Sequence, residues 1–301
     1  MGTHVIAVVG ATATGKSRLA VELARAVGGE VVNADSMQLY QGMDVGTAKE
    51  PEAAWQGVPH HLLDIWPVTQ TANVADYAKL ARAAIDEIIT RGRVPILVGG
   101  SGLYVRAAVD DLDFPGTDPA TRAHLEDELA RLGPAGLHAR LARLDPAAAA
   151  AILPGNGRRI VRALEVIEIS GRPFTATMPA YQQNRPAVQI GLTLPRPELD
   201  RRIAARVDRM WRAGLEAEVR TLVTQGLRDG RTASRALGYQ QLLRHLDGEC
   251  TLDEARLETI KATRRFARRQ ESWFRHDPRI RWLDAARPPA ALLRDALAMI
   301  T

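Results

Sequence analysis

Cysteine is nearly absent from this 301-residue chain: Cys250 alone cannot form an intrachain disulfide or a zinc cluster, and it fits a packing role in a reducing compartment. Long apolar runs are lacking too. Val5–Val9 and Ile96–Val98, among the longest, fall far short of the ~20 residues a bilayer-spanning helix needs. No basic flank leads into an apolar leader, so the chain reads as cytoplasmic, with no membrane partner. Nor does one sign of charge dominate. Forty Lys+Arg against 35 Asp+Glu leave +5, too little by itself to announce a nucleic-acid partner. The arginines are clustered, however, in 158–172, 196–212 and 261–275, so separate segments can assemble a basic surface. Internal repeats are absent, and alanine runs such as 147–151 are helix formers. What remains, 46% hydrophobic and 25% charged, is a globular composition with length for one sizeable core and a smaller appended unit.

The first hundred residues alternate short β-branched runs with helical patterns, which predicts a parallel sheet with crossover helices. Strands are expected at Val5–Val9, Glu30–Ala34 and Pro95–Val98, and helices at Arg18–Val27 and Val74–Thr90. Each strand leads into polar or glycine-rich residues, which gathers them at the edge where open α/β sheets bind ligands. From Pro115 to about Pro186 the pattern becomes alanine- and arginine-rich and helical. The expected division is therefore a core of 1–114 and 187–301 with a helical insertion at 115–186. The core resumes with a strand at Ile190–Leu194, helices in 198–226 and 252–276, a strand at Ile280–Leu283 and a helix near 290–300. His60-His61 lies in a loop-rich stretch; it lacks a third metal ligand at suitable spacing and reads as packing.

Gly10-Ala11-Thr12-Ala13-Thr14-Gly15-Lys16-Ser17 satisfies G-x-x-x-x-G-K-[ST] directly after an apolar strand and at the start of a helix. Its backbone N–H groups converge on phosphate oxygens, Lys16 supplies a mobile charge, and the Ser17 hydroxyl can ligate Mg²⁺. The fold class is thus α/β, a P-loop NTPase-like parallel-sheet core with a helical insertion. One expected part is missing. A P-loop hydrolase keeps an aspartate at a buried strand end to hold the metal, whereas Pro95-Ile-Leu-Val98 ends in Gly-Gly-Ser-Gly. The nearest acid, Asp35, follows the strand after the P-loop helix, where it can face an acceptor as easily as a metal.

Several blocks together resemble the bacterial tRNA dimethylallyltransferase family. They are the P-loop, Asp35-Ser-Met-Gln-Leu-Tyr-Gln-Gly-Met-Asp-Val-Gly-Thr-Ala-Lys49, His60-His-Leu-Leu-Asp-Ile65, Val98-Gly-Gly-Ser-Gly-Leu-Tyr104, Arg158-Arg-Ile-Val-Arg-Ala-Leu-Glu-Val166, Ala236-Leu-Gly-Tyr239 and Thr263-Arg-Arg-Phe-Ala-Arg-Arg-Gln-Glu-Ser-Trp-Phe-Arg275. They follow the family's order and span nearly the whole chain. Ala11, Thr14 and Ser101 stand where members commonly have Pro, Ser and Thr, and Gly155 lies where an Asn is common; none of these removes a needed charge or hydroxyl. The resemblance implies transfer of a dimethylallyl group from dimethylallyl diphosphate to N6 of the adenosine 3′ of the anticodon, with Mg²⁺, and an insertion that clasps the anticodon stem-loop.

An exocyclic adenine amine is a weak nucleophile, so its alkylation calls for a base. Asp35 is assigned that role, in agreement with the resemblance, with a helix cap or outer Mg²⁺ ligand as the plainer reading. Ser101 is a candidate to bond the amine or the diphosphate, and the resemblance makes Arg206 the arginine across from the P-loop, against a solvated helix charge. Lys261, Arg264, Arg265, Arg268 and Arg269 fall on one helical stripe, with Phe266 and Trp273 on a neighbouring face. That pattern suits RNA as well as a solvated surface. By resemblance the tRNA contacts are Asp35, Ser36, Met37, Gln38, Ser101, Arg122, Arg158, Arg159, Ile160, Val161, Arg162, Arg235, Gly238, Tyr239, Gln240, Arg268, Arg269, Gln270, Trp273 and Arg275. The chain is expected to act as a monomer. Three rivals stay open: a small-molecule P-loop kinase, an isopentenyltransferase acting on free adenylate, and a non-catalytic RNA-binding protein with a vestigial P-loop.

Overall fold

The computed structural model describes residues 4–112, 114–174 and 181–300. In chain order the elements are β1 (Val5–Gly10), α1 (Lys16–Val27), β2 (Gly29–Asn33), β3 (His60–His61), α2 (Val74–Thr90), β4 (Val94–Gly99) and α3 (Gly102–Val109). Then follow α4 (Pro119–Leu144), α5 (Pro146–Ala151), α6 (Gly157–Ser170), β5 (Ala187–Thr193), α7 (Arg196–Arg212) and α8 (Leu215–Thr224). The chain closes with α9 (Tyr239–Leu246), α10 (Leu252–Arg275), β6 (Ile280–Asp284) and α11 (Pro289–Leu297). It divides into two compact units, 1–111 with 183–301, and 112–182.

In the larger unit the six strands are all parallel, in the order β3-β2-β4-β1-β5-β6. Every residue of β1 is buried, as a parallel strand covered on both faces requires. Register places the site. Val8 and Asn33 both pair with Val98, and Gly10 pairs with Leu192. The carboxyl ends of β1, β2 and β4 are therefore level, and the segments they release, Gly10–Ser17, Asp35–Gln38 and Gly100–Ser101, leave from one edge. Helix α1 packs Leu19, Ala20, Leu23 and Ala24 into the core beneath Ile6, Val8, Ile96 and Ile190. Gly28, at φ +67°, ends that helix in the left-handed conformation that glycine tolerates best.

The smaller unit is helical and has its own core of Leu125, Leu137, Leu141, Ile152, Ile160, Val161 and Leu164. Side-chain caps start its helices. Asp118 accepts from the Thr121 N–H, Asp145 from Ala148 and Asn156 from Arg159. α4 is broken at Gly133, where φ +70° precedes Pro134. The division falls at 112 and 182, not 115 and 186, because the Asn184 N–H bonds the Val109 carbonyl and its side-chain amide bonds the Asp110 carbonyl.

Several elements differ from expectation. His60-His61 forms a short edge strand on β2. There the His61 Nε2 lies 2.7 Å from Glu30, His60 stacks on Trp55, and no third ligand approaches among the described residues. The stretch 198–226 is two helices separated at Gly214 (φ +91°). Helices α3 and α9 are short and begin on glycine or just after one, a signal that reads equally as a turn. No helix among the described residues is long and apolar enough to cross a membrane.

Candidate active site

The phosphate-binding loop is built from its own sequence. Gly10 adopts φ +137°, and a Cβ there would lie 2.5 Å from the Leu192 carbonyl oxygen, so only glycine lets β1 turn out beside β5. Ala13 and Gly15 are also left-handed, at φ +65° and +93°. The Ala11 carbonyl accepts both the Thr14 hydroxyl at 2.8 Å and the Lys16 ammonium at 2.7 Å. Burial, helped by the nearby Arg206 guanidinium and opposed by Asp35, lowers the Lys16 pKa to about 7. Ser17 follows on the first turn of α1, where the N–H groups of the helix start make a natural anion seat.

Across the sheet edge, Asp35 leaves β2 in an Asx turn: its Oδ1 accepts the Met37 N–H at 2.9 Å. Asn33 secures the approach. It accepts the Asp35 N–H and donates to the Asp35 and Leu62 carbonyls. The Ser101 hydroxyl meets the Ser36 N–H and Oγ, both at 3.4 Å, which ties the β4 turn to the β2 turn. Gly99 is demanded here, because a Cβ would lie 2.2 Å from the Ala34 carbonyl oxygen. Arg206 reaches in from α7, donating to Thr12 Oγ1 and the Thr47 carbonyl, both at 3.2 Å. Burial lowers its pKa while Asp35 pulls the other way, so Asp35 and Arg206 share one field.

Two cavities meet at these residues. The larger, about 570 Å³, is lined by Gly15, Lys16, Ser17, Arg18, Lys49, Arg201, Arg202, Arg206 and Arg209, with Asp44 and Glu50 as its acids. The smaller, about 300 Å³, is lined by Thr12, Asp35, Ser36, Met37, Ser101, Arg206, Arg235, Tyr239, Phe266 and Arg269. Arg206 and Met210 border both. A strongly cationic chamber thus adjoins a less charged one that carries the Asp35 carboxylate and the Ser101 hydroxyl.

Not every expected contact residue faces these chambers. Arg235, Tyr239, Arg269, Asp35, Ser36, Met37 and Ser101 do; Trp273 is half-exposed and packs on Gly102. Gln240 and Arg268 are exposed. Other expected contact residues are engaged within the protein. Ile160 and Val161 lie in the core of the smaller unit, because a contiguous block on a helix must turn some residues inward. Gly238 is buried, and Tyr239, which borders the smaller chamber, is otherwise buried with its hydroxyl bonded to Glu218 at 2.5 Å. Gln270 is 6% exposed, with both ends of its amide bonded internally. Arg122 and Arg162 both bond the fully buried Glu165, while Arg158 and Arg159 are exposed. Gln38 bonds the Thr47 carbonyl, and Arg275 pairs with Glu271 over the Trp282 ring. Arg264 leaves the basic stripe as well, turning toward the Asp200 carbonyl on α7.

Sequence reasoning did not single out Arg201, Arg202 and Arg209 in the cationic chamber, although the arginine crowding in 196–212 was the available signal. It also missed Glu218. Its carboxylate accepts the N–H groups of Asp44, Val45 and Gly46 at 2.7–3.1 Å and thereby holds the loop that borders both chambers.

A parallel sheet with a glycine-rich loop feeding a helix start at its carboxyl edge defines a P-loop protein, here with a cationic chamber adjoining a second, acid-bearing one. Residues 38–277 match the model of the family described as IPP transferase. Similar curated proteins include the tRNA dimethylallyltransferases of Thermobifida fusca, 70% identical over 93% of this chain and 89% of the relative, and of Streptomyces coelicolor, 70% identical over 93% and 90%. Among solved structures, a full-length tRNA isopentenylpyrophosphate transferase from Bacillus halodurans superposes with a TM-score of 0.73 at 40% identity, over 99% of this chain and 95% of that one. A eukaryotic dimethylallyltransferase acting on tRNA gives 0.82 at 26% identity, over 94% and 74%. The chain belongs to the IPP transferase family.

Proposed function

We infer that this enzyme transfers a dimethylallyl group from dimethylallyl diphosphate to N6 of the adenosine 3′-adjacent to the anticodon in tRNA, releasing diphosphate. The observation that carries the reading is the pair of chambers joined at Arg206, cationic on one side and bearing Asp35 and Ser101 on the other. The names of the relatives support it. In the reaction N6 forms a bond to the allylic carbon, the carbon–oxygen bond breaks, its electron pair leaves with diphosphate, and the N6 proton passes to Asp35. Negative charge then builds on the leaving oxygens, facing Lys16, Arg206 and the loop amides.

Mg²⁺ belongs to this proposal. The residues fit a cation that arrives with its diphosphate: Ser17 offers a hydroxyl beside Lys16, and no cluster of three acidic, His or Cys ligands exists among the described residues. When bound, the ion would neutralise part of the leaving charge. On the acceptor side, Arg269 and Phe266 line the smaller chamber, and a cation over a ring suits a base drawn out of its stack. Recognition of the anticodon stem-loop, action as a monomer and a cytoplasmic setting complete the reading.

The test is mass analysis of nucleosides from unmodified tRNA incubated with the enzyme, Mg²⁺ and dimethylallyl diphosphate. A gain of one dimethylallyl group on the target adenosine is expected. Transfer to AMP but not tRNA, or ATP turnover without allyl transfer, would overturn it.

A further inference from the structure

Gln270, on α10, is buried among residues far away in sequence. Its Oε1 accepts the Thr12 N–H at 2.9 Å, and its Nε2 donates to the Gly100 carbonyl at 2.9 Å. We propose that Gln270 is a positioning residue that locks the diphosphate loop to the acceptor turn, so that donor and acceptor chambers are held in one geometry; this rests on the transfer reaction inferred above.

The argument begins at one peptide unit. The Thr12 N–H and the Ala11 C=O belong to the same planar trans peptide, so they point in opposite directions. With the N–H held by Gln270, the carbonyl is aimed at the Lys16 ammonium and the Thr14 hydroxyl, which it accepts. Gln270 therefore sets the side of the loop on which Lys16 sits. Thr12 also receives the Arg206 guanidinium through its hydroxyl, so the same anchor seats the arginine common to both chambers. At its other end Gln270 fixes Gly100, whose neighbour Ser101 meets Ser36 beside Asp35. No room exists for an alternative. A Cβ on Gly100 would lie 2.2 Å from Gln270 Nε2, so glycine is required for the amide to reach the carbonyl. Nor does Glu substitute. It keeps an acceptor for Thr12 but loses the donor for Gly100, and it sets a negative charge beside the anion seat.

The experiment measures, for wild type, Gln270→Met and Gln270→Glu, the calorimetric affinity for inorganic diphosphate with Mg²⁺, tRNA affinity, kcat and KM, and melting temperature. Gln270→Met should weaken diphosphate binding and lower kcat, each by about tenfold, as expected when a preorganised polar group is displaced. Its tRNA affinity should stay within about twofold of wild type. Gln270→Glu should bind diphosphate more weakly still. Unchanged diphosphate affinity and kcat, or a loss confined to tRNA affinity, would overturn the proposal. Gly100→Ala supplies a second route: it should weaken diphosphate binding in the wild-type background but add nothing to Gln270→Ala, which removes the obstructing amide. Additive losses would refute the lock. If the wild-type enzyme transferred no allyl group, the proposed reaction would fail, while the diphosphate arm would still judge the clamp.

Discussion

Lys16 illustrates how one side chain serves the site at a cost to the fold. Its folded pKa of about 7 lies below the ordinary 10.5, because burial disfavours the charged form. The native state thus binds fewer protons than the unfolded chain between those values. The resulting penalty on stability is full below pH 7 and fades as pH rises toward 10.5. An anion reverses the preference. Affinity for an allylic diphosphate should therefore fall as pH rises from 7 to 9, by up to about tenfold per unit. Calorimetry in buffers of different ionisation enthalpy should show proton uptake on binding, and Lys16→Arg should flatten the profile. Asp35 allows a cleaner separation of roles. Asparagine can still accept the Met37 N–H that shapes the turn, yet it cannot remove a proton. Asp35→Asn should lower kcat by roughly 10²–10⁴, the span of general-base contributions, with tRNA affinity unchanged in a filter-binding assay. A parallel loss of binding would instead assign Asp35 to recognition.

At the scale of elements, the site depends on segments that are not themselves regular. The loop after β2 is held by Lys49, which pairs with Asp44 and Asp64 at 2.5–2.6 Å, and by Glu218 of α8, which gathers three successive N–H groups and the Tyr239 hydroxyl. Gly46 is tightly bound into this arrangement, since a Cβ would lie 2.4 Å from the Tyr239 ring. Glu218→Gln replaces a charged acceptor with a neutral one and should weaken the hold on the loop by about 2 kcal/mol. The expected result is faster hydrogen exchange at residues 44–46 and a raised KM for the donor, with little change elsewhere. α10 serves the same end differently: Thr259, Thr263, Phe266 and Gln270 recur at helical spacing, so one face runs along the smaller chamber and the P-loop while Lys261, Arg265 and Arg268 stay in solvent.

Across the whole molecule, the chain leaves the parallel-sheet unit after Asp111 and returns at Gln183, and that exit is stitched by buried charge. Asp110 is fully buried and accepts from Arg106 at 2.6 Å and from Arg279 at 2.7 and 3.1 Å, while Arg82 bonds the Ala107 and Asp110 carbonyls. Removing the carboxylate shared by two arginines is expensive. Asp110→Ala should destabilise the fold by about 3–5 kcal/mol, seen as a lower urea midpoint, whereas exposed pairs such as Arg220 with Glu216 should change it little.

The sequence alone determined the features that depend on local pattern. The P-loop, the parallel sheet, the helix over Val74–Thr90 and the helical character of the smaller unit were legible, because strand and helix periods and glycine-dependent turns are written in short windows. Asp35 stood out because it lies at a strand end with a missing acid elsewhere. Tertiary structure decided what distant residues do together. That Ile160 and Val161 are core, that Gln270 bridges Thr12 and Gly100, and that Glu218 holds residues 44–46 could not be read from blocks of similarity. A block records which residues occur in order, whereas burial and hydrogen-bond partners arise only when separate segments pack together, neighbouring helices for Ile160 and Val161 and stretches well over a hundred positions apart for Gln270 and Glu218.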